Sequence, residues 1–288
     1  MANQIAKFKK YVALLDEVYQ NESKTAVLES DATLAQAGAN ANEIVIPKLD
    51  MDGLGDYDRN SGYVNGNVTL TNETVQFNYD RGRKFSVDNM DNEETAGLAF
   101  GKLASEFIRT KVTPEQDAFR FAKYAELAGT KVSGTLSAGT DVLAALQAAT
   151  AAMDNDEVPS ENRHLFITPA LLIAAQNVDT NKSRDILGAF ASITKVPQAR
   201  FYTAIALKNG KSSGEEDGGF EKAEGGKDIN FLIAEKSAVM QYTKHKVNKA
   251  IPPEDNPDAD AWIFNFRAYG LSDVYENKTA GIYLHHKA

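Results

Sequence analysis

Residues 43–90 read EIVIPKLDMDGLGDYDRNSGYVNGNVTLTNETVQFNYDRGRKFSVDNM, and the reading of this stretch decides the fold. Turn formers crowd its first half: Gly53, Gly55, Gly62 and Gly66, with Asn60, Asn65 and Asn67. Beyond them the side chains alternate. Val75, Phe77 and Tyr79 take one face and Thr74, Gln76 and Asn78 the other, the period of two that marks a strand. Asp80-Arg81-Gly82-Arg83 reads as a turn, after which Phe85 and Val87 resume the alternation. The pattern predicts a long hairpin with too few large apolar residues for a core of its own. An isolated hairpin is marginal in water, so this one must lie on another surface, of its own chain or of a second copy. Arg81, Arg83 and Lys84 would then stand at its tip, either paired with acids on a neighbour or simply solvated. With Tyr79 they are the candidate subunit-contact residues.

Upstream, residues 4–19 read as an amphipathic helix. Ile5, Phe8, Val12, Leu15 and Tyr19 recur at three- and four-residue steps, with lysines and acids on the other face. One helix cannot bury such a stripe alone. Residues 20–42 are rich in Ala, Asn, Ser and Thr and read as a connecting arm. Downstream, residues 91–128 are the clearest helical stretch. Asp91 is placed to cap its start with Glu94 three residues on, and Ala96, Phe100, Leu103 and Phe107 share a face. Thr113-Pro114-Glu115-Gln116 restarts the helix signal, so either two helices follow in series or one long helix is kinked there. Gly129 is the expected stop.

From residue 135 helices and strands alternate. Residues 141–153 read as a helix, Leu165–Ile167 as a short buried strand, and Thr168-Pro169 as the start of another helix. Arg200–Leu207 and Ile229–Ala234 read as strands around a glycine-rich, charged and mobile loop, Lys208–Asp228. Residues 238–247 and 261–269 read as strands joined through Pro252, Pro253 and Pro257.

Composition bounds the function. The 288 residues are 43% hydrophobic and 25% charged, an ordinary globular balance. With no cysteine there is neither a disulfide framework nor a thiolate metal site. Net charge is -9, which argues against tight wrapping of nucleic acid, since counterion release needs a basic patch. No run approaches the ~18 apolar residues of a membrane helix, and the charged N-terminus lacks a signal-peptide core, so a soluble, non-secreted protein is expected.

A search for chemistry finds little. The acidic segment Asp50–Asp58 fails as a calcium loop in both registers: position 12 falls on Ser61 or Asn67, where a bidentate Glu is needed. Gly53-Leu54-Gly55 lacks the third glycine of a dinucleotide turn. His164, His245, His285 and His286 hold no metal-ligand spacing, and His285-His286 reads as a solvated tail. No nucleophile elbow is present. Neither catalytic residue, cofactor site nor metal site is expected.

Several segments, in order, carry a resemblance. These are Val45–Lys48 (VIPK), Phe107–Ala122 (FIRTKVTPEQDAFRFA), Val196–Ile205 (VPQARFYTAI), Ile229–Lys246 (INFLIAEKSAVMQYTKHK), Asp258–Tyr269 (DADAWIFNFRAY) and Lys278–Tyr283 (KTAGIY). Together with the order arm, hairpin, long helix and α/β region, they resemble the Hong Kong 97 phage-type major capsid protein across nearly the whole chain. The resemblance implies an α+β fold with an N-terminal arm (1–42), an E-loop (43–90), a peripheral domain carrying the spine helix (91–134 and 236–270) and an axial domain (135–235 and 271–288). It implies hexamers and pentamers closing an icosahedral head around double-stranded DNA, bound without sequence specificity, in a virion assembled in the host bacterial cytoplasm. A separate scaffolding protein is expected, because only residues 1–42 precede the hairpin; portal and decoration proteins are further partners such a shell can have. The founding member's Lys–Asn crosslink has no matching Asn or Glu here, so no covalent crosslink is expected. An encapsulin-type nanocompartment shares the architecture and is the alternative. A hydrolase with a dispersed triad, or a monomeric binding module using residues 208–228, are rivals from other classes.

Overall fold

In the computed structural model, residues 23–30, 36–37, 42–94, 98–178 and 180–288 are described. The helix expected over 4–19 and residue Ala96 lie outside them, as does the side chain of Phe100. The described residues open with a 3-10 turn at Ala26–Leu28 and the short strand β1 (Gln36–Ala37). Strands β2 (Glu43–Met51) and β3 (Val68–Gln76) then form a nine-residue antiparallel ladder, from Glu43 opposite Gln76 to Met51 opposite Val68. Asp52 and Asn67 close it, and residues 53–66 form the tip.

The hairpin register corrects the sequence reading. Asp80–Arg83 is not a turn: β4 (Tyr79–Asp88) runs straight through it and pairs along its length with a strand nearly two hundred residues away. Gly82 misled the reading. It sits opposite Arg267, where an added Cβ would lie 2.7 Å from the Phe266 carbonyl oxygen, so glycine is there for close strand approach. The break between strands falls instead at Phe77-Asn78. The Asn78 side chain donates to Ser272 O (2.8 Å) and accepts from Ser272 N (3.1 Å), doing the work of a missing ladder residue.

Helix α1 (Asn89–Glu94) starts one turn earlier than expected, because Asp88 accepts from the Met90 N–H at 2.9 Å and Asp91 lies inside the first turn. Helix α2 (Leu98–Phe107) continues through a π-turn, Ile108–Val112, into α3 (Thr113–Leu127). Of the two alternatives the sequence left open, one continuous helix is observed at this point. Phe107, Val112 and Thr113 all keep helical dihedrals, and the Thr113 N–H and hydroxyl both donate to Ile108 O. Pro114 has no N–H to give and its ring would strike the carbonyl four residues back. The wider π-turn removes that clash. The helix ends at Leu127, and Gly129 serves close approach rather than a left-handed cap: an added Cβ would lie 2.7 Å from the Thr279 carbonyl.

Next come β5 (Thr130–Ser133), α4 (Gly139–Asn155), β6 (Arg163–Ile167), α5 (Pro169–Gln176), α6 (Thr180–Gly188) and β7 (Ser192–Lys195). Short β8 (Ile205–Leu207) and β9 (Phe220–Lys222) pair with each other. The strand expected over 200–207 is therefore a 3-10 turn at Gln198–Arg200 followed by β8, and the loop expected over 208–228 contains β9. Strands β10 (Ile229–Glu235), β11 (Val239–Ile251), β12 (Ala261–Val274) and β13 (Ile282–His286) complete the chain.

Two main sheets result. One has the order β5-β13-β10-β6-β7, the other β11-β12-β4. The first is buried on both faces: every residue of β6 and β10 is buried, with apolar runs at Leu165–Ile167 and Phe231–Ala234. Alternate side chains go opposite ways. Phe166, Leu232 and Ala234 pack with Phe121 and Tyr124 of α3, while Leu165, Ile167, Phe231 and Ile233 pack with Leu143, Leu146 and Met153 of α4 and Leu172 of α5. His285 belongs to this core rather than to a solvated tail. It is 4% exposed, stacks on Phe231 at 5.0 Å and lies 3.0 Å from Asn230 Nδ2. The second sheet presses Tyr79, Phe264, Phe266 and Ala268 against Ala104, Ile108, Val112 and Phe119 of the long helix. Its opposite face, with Met240, Tyr242 and Leu271, receives Ile44, Ile46 and Val75 from the hairpin base.

Candidate assembly surface

The hairpin is anchored at its root and uncovered beyond it. Ile44, Ile46 and Val75 are buried, Phe77 stacks on Tyr269 at 4.9 Å, and Lys244 sits over the Phe77 ring at 4.7 Å. Lys48 Nζ lies 2.9 Å from Glu73 and also pairs with Glu276, and these hydrogen bonds, Glu276 first, raise its pKa. Past Lys48 none of the described residues covers the ladder. Of the large hydrophobic residues that stand exposed among the described residues, most lie between 49 and 70: Leu49, Met51, Leu54, Tyr57, Tyr63, Val64, Val68 and Leu70. Leu54 is fully exposed and Tyr63 89% exposed. Eight large apolar side chains exposed on one hairpin are the kind of surface that marks an interaction site.

The four candidate contact residues sit in the β4 strand, not at the tip. Tyr79 is buried, and its hydroxyl lies 3.2 Å from Glu115 Oε1. Arg81 grips the same carboxylate with two bonds, Nε to Oε1 at 2.8 Å and Nη2 to Oε2 at 3.3 Å. Its Nη2 also donates to Gly219 O (3.3 Å), and Arg83 Nη2 donates to Glu216 O (3.1 Å). So Tyr79 and Arg81 engage their own chain, while Arg83 and Lys84 keep exposed side chains, Arg83 beside the 208–219 loop.

One cluster was missed by the sequence reading. Asp117, fully buried in α3, accepts from Ser23 Oγ (3.0 Å), Lys24 N (2.9 Å), Thr25 N (3.2 Å), Thr25 Oγ1 (2.9 Å) and Arg200 Nη1 (3.1 Å). Arg120 donates to Thr25 Oγ1 at 2.9 Å, and Gln241, itself held by the Tyr124 hydroxyl, donates to Thr25 O and Glu29. Leu28 is buried in the core beneath. Residues 23–30 are thus a strap bound across α3 and β11 of their own chain. A carboxylate on the apolar stripe of an amphipathic helix, four residues before Phe121 and seven before Tyr124, is the signal that pointed to it.

His164 Nδ1 lies 2.7 Å from Ser192 Oγ, but its Nε2 is buried without a partner and no carboxylate orients the ring. Burial, then Lys236, lowers its pKa. Among the described residues, no group of three His, Asp or Glu side chains is placed to hold a metal, and no helix is long and apolar enough to cross a membrane.

Comparison with solved structures follows the same geometry. A Mycobacterium phage Che8 structure superposes with TM-score 0.61 at 11% identity, over 90% of this chain and 89% of that one. The mature capsid of bacteriophage PhiM1 superposes with TM-score 0.61 at 10% identity, over 86% of this chain and 82% of that one. The chain has the tailed-phage capsid fold. A virus-like particle from Pyrococcus furiosus also shares this capsid fold, with TM-score 0.57 at 10% identity over 97% of this chain and 99% of that one. No family model matches the sequence, and no curated protein does.

Proposed function

We propose that the chain is the major capsid protein of a tailed phage, a structural subunit that assembles through hexamers and pentamers into the shell enclosing a double-stranded DNA genome. The observation that carries this is the uncovered apolar finger, residues 49–70, projecting from a capsid fold. Such an element is stable only when a second copy covers it. A shell subunit makes several interfaces, each of roughly 1,600 Å² in total if standard, so modest contacts sum to a closed container. On this reading the strap and residues before it are the N-terminal arm. The E-loop proper is residues 43–76, since β4 belongs to a sheet. The peripheral domain is the long helix with β4, β11 and β12. The axial domain is the five-stranded sheet with α4 to α6. A scaffolding protein, a portal and decoration proteins are proposed partners, and assembly takes place in the host cytoplasm. The chain carries out no chemistry. The nanocompartment reading is less favoured because the similar structures are mostly phage capsids; the virus-like particle's TM-score of 0.57 lies within the phage range of 0.51 to 0.61 and does not separate the two.

Deleting residues 53–66 tests the role of the finger. Asp52 and Asn67 already pair across the cut (N···O 3.1 Å), so the ladder can close there. The shortened chain should melt as the wild type does and form no closed particles. Intact shells from it would remove the finger from the assembly. A longer cut, through residue 84, is uninformative because it destroys β4.

A further inference from the structure

A Thr-Pro-Glu-Gln signature uses its glutamine to cap a helix start, the side chain reaching back to a free backbone N–H at the threonine. In this chain that N–H is not free. The helix runs through from the π-turn, and the Thr113 N–H already donates to Ile108 O. Gln116 therefore has nothing to cap. Its residue is only 8% exposed, and its Oε1 is buried without a hydrogen-bond partner. An unpaired buried carbonyl of this kind is costly.

The side chain lines a small pocket between α3 and the β11–β12 ladder. The sequence makes the hollow. The register of β11 shifts between Thr243 and His245, a bulge that bends the strand and interrupts the ladder. Opposite Thr243 stands Gly270, where an added Cβ would lie 2.7 Å from Tyr242 O. Gly270 also faces Tyr79 on β4, and Tyr79 packs on the helix, so the missing side chain is missing from the helix-facing side. The pocket has about 10 Å³ of room for a water-sized sphere. One water needs roughly 10–15 Å³ by that measure, with two to four polar partners. Besides Gln116, the lining carries the Arg120 guanidinium and the hydroxyls of Tyr79, Thr243 and Ser272. Glu29 of the strap spans two of these residues, accepting from Thr243 Oγ1 at 3.0 Å and lying 3.6 Å from Arg120 Nη2.

We propose that this pocket is a binding site for one ordered water molecule, which satisfies the Gln116 carboxamide and ties α3 to the bulged strand beside the strap. The site is too small for an organic ligand, and it stands whether or not the chain builds a shell. Two measurements on the full-length chain test it. A density map at about 2 Å or better should show a peak within hydrogen-bond distance of the buried end of the Gln116 carboxamide and of at least one other polar group of the lining. Gln116→Met keeps the side-chain length and helix propensity but cannot bind the water. It should lower the melting temperature of the unassembled subunit by at least about 1 °C, the loss of one net hydrogen bond. A dry, unpaired carboxamide gives the opposite sign, because methionine would then remove a penalty and raise the melting temperature. An empty pocket in the map, or a variant that melts at or above wild type, overturns the site. A peak that is lost when chloride is left out of the buffer marks an anion and overturns it too.

Discussion

Replacing Asp117 with Ala probes how the strap is held. The carboxylate is fully buried and accepts five hydrogen bonds, four from residues 23–25 and one from Arg200, whose side chain is only 16% exposed. Alanine removes the single acceptor that all five donors share and leaves Arg200 without its counter-charge. Breaking a buried ion pair from one side costs about 3–5 kcal/mol. Unmade hydrogen bonds add to that cost where water cannot enter. At roughly 2–4 °C per kcal/mol for a chain of this size, the subunit should melt roughly 6–20 °C lower. The assay is thermal unfolding of the unassembled subunit followed by circular dichroism, with limited trypsin digestion alongside. Cleavage after Lys24 should become rapid, because its backbone N–H no longer has Asp117 to hold it. Adding Arg200→Ala should cost less than it does in the wild type, since the two residues share one interaction. A melting point within about 1 °C of wild type, with Lys24 still protected, would refute the reasoning.

Phe107→Asp should lower the melting temperature, because the ring packs edge-on against Phe85 (4.8 Å) and Phe266 (5.9 Å); partly buried, it should cost less than the about 3–5 kcal/mol of a fully buried phenylalanine; an unchanged melting temperature would contradict its placement. Burial raises the Asp273 pKa, so the protonated form suits the folded state and the ionised form at neutral pH opposes folding. Asp273→Asn should therefore stabilise at pH 7, with the gain shrinking on acidification; a loss at pH 7 would show that the carboxylate is needed there. His164 and His285 both have pKa values lowered by burial from 6.5, so the unfolded chain takes up protons first as pH falls and stability should drop below about pH 6.5. His164→Gln should flatten that part of a melting-temperature profile; an unchanged slope would exonerate His164.

Much of the fold is legible in the sequence because its signals are local. The runs around Leu165–Ile167 and Ile229–Ala234, the Thr168-Pro169 helix start and the long helix all follow from burial period and capping chemistry. The miss at Asp80–Arg83 shows the limit. Asp, Gly and two Arg in succession have turn chemistry, and only the distant partner strand β12 makes them a strand. The same pairing moved the four contact candidates off the hairpin tip and tied Arg81 to Glu115. His285-His286 was read as solvated because it lies near the end of the chain, whereas β10 draws it into the sheet. The strap went unseen for the same reason: Asp117 and residues 23–25 are more than ninety residues apart, and the one local sign, a carboxylate on the apolar stripe of α3, does not say which segment it holds. What the sequence did show of the candidate site was its deficit, an acidic, glycine-rich hairpin without a core.

The central claim is that this chain completes itself only against other copies, and the most direct test is an electron micrograph of the purified full-length protein across a concentration series. The account predicts capsomers and closed, thin-walled shells of uniform curvature. A population of single 31.4 kDa subunits at every concentration, with residues 49–70 protected from protease, would contradict it.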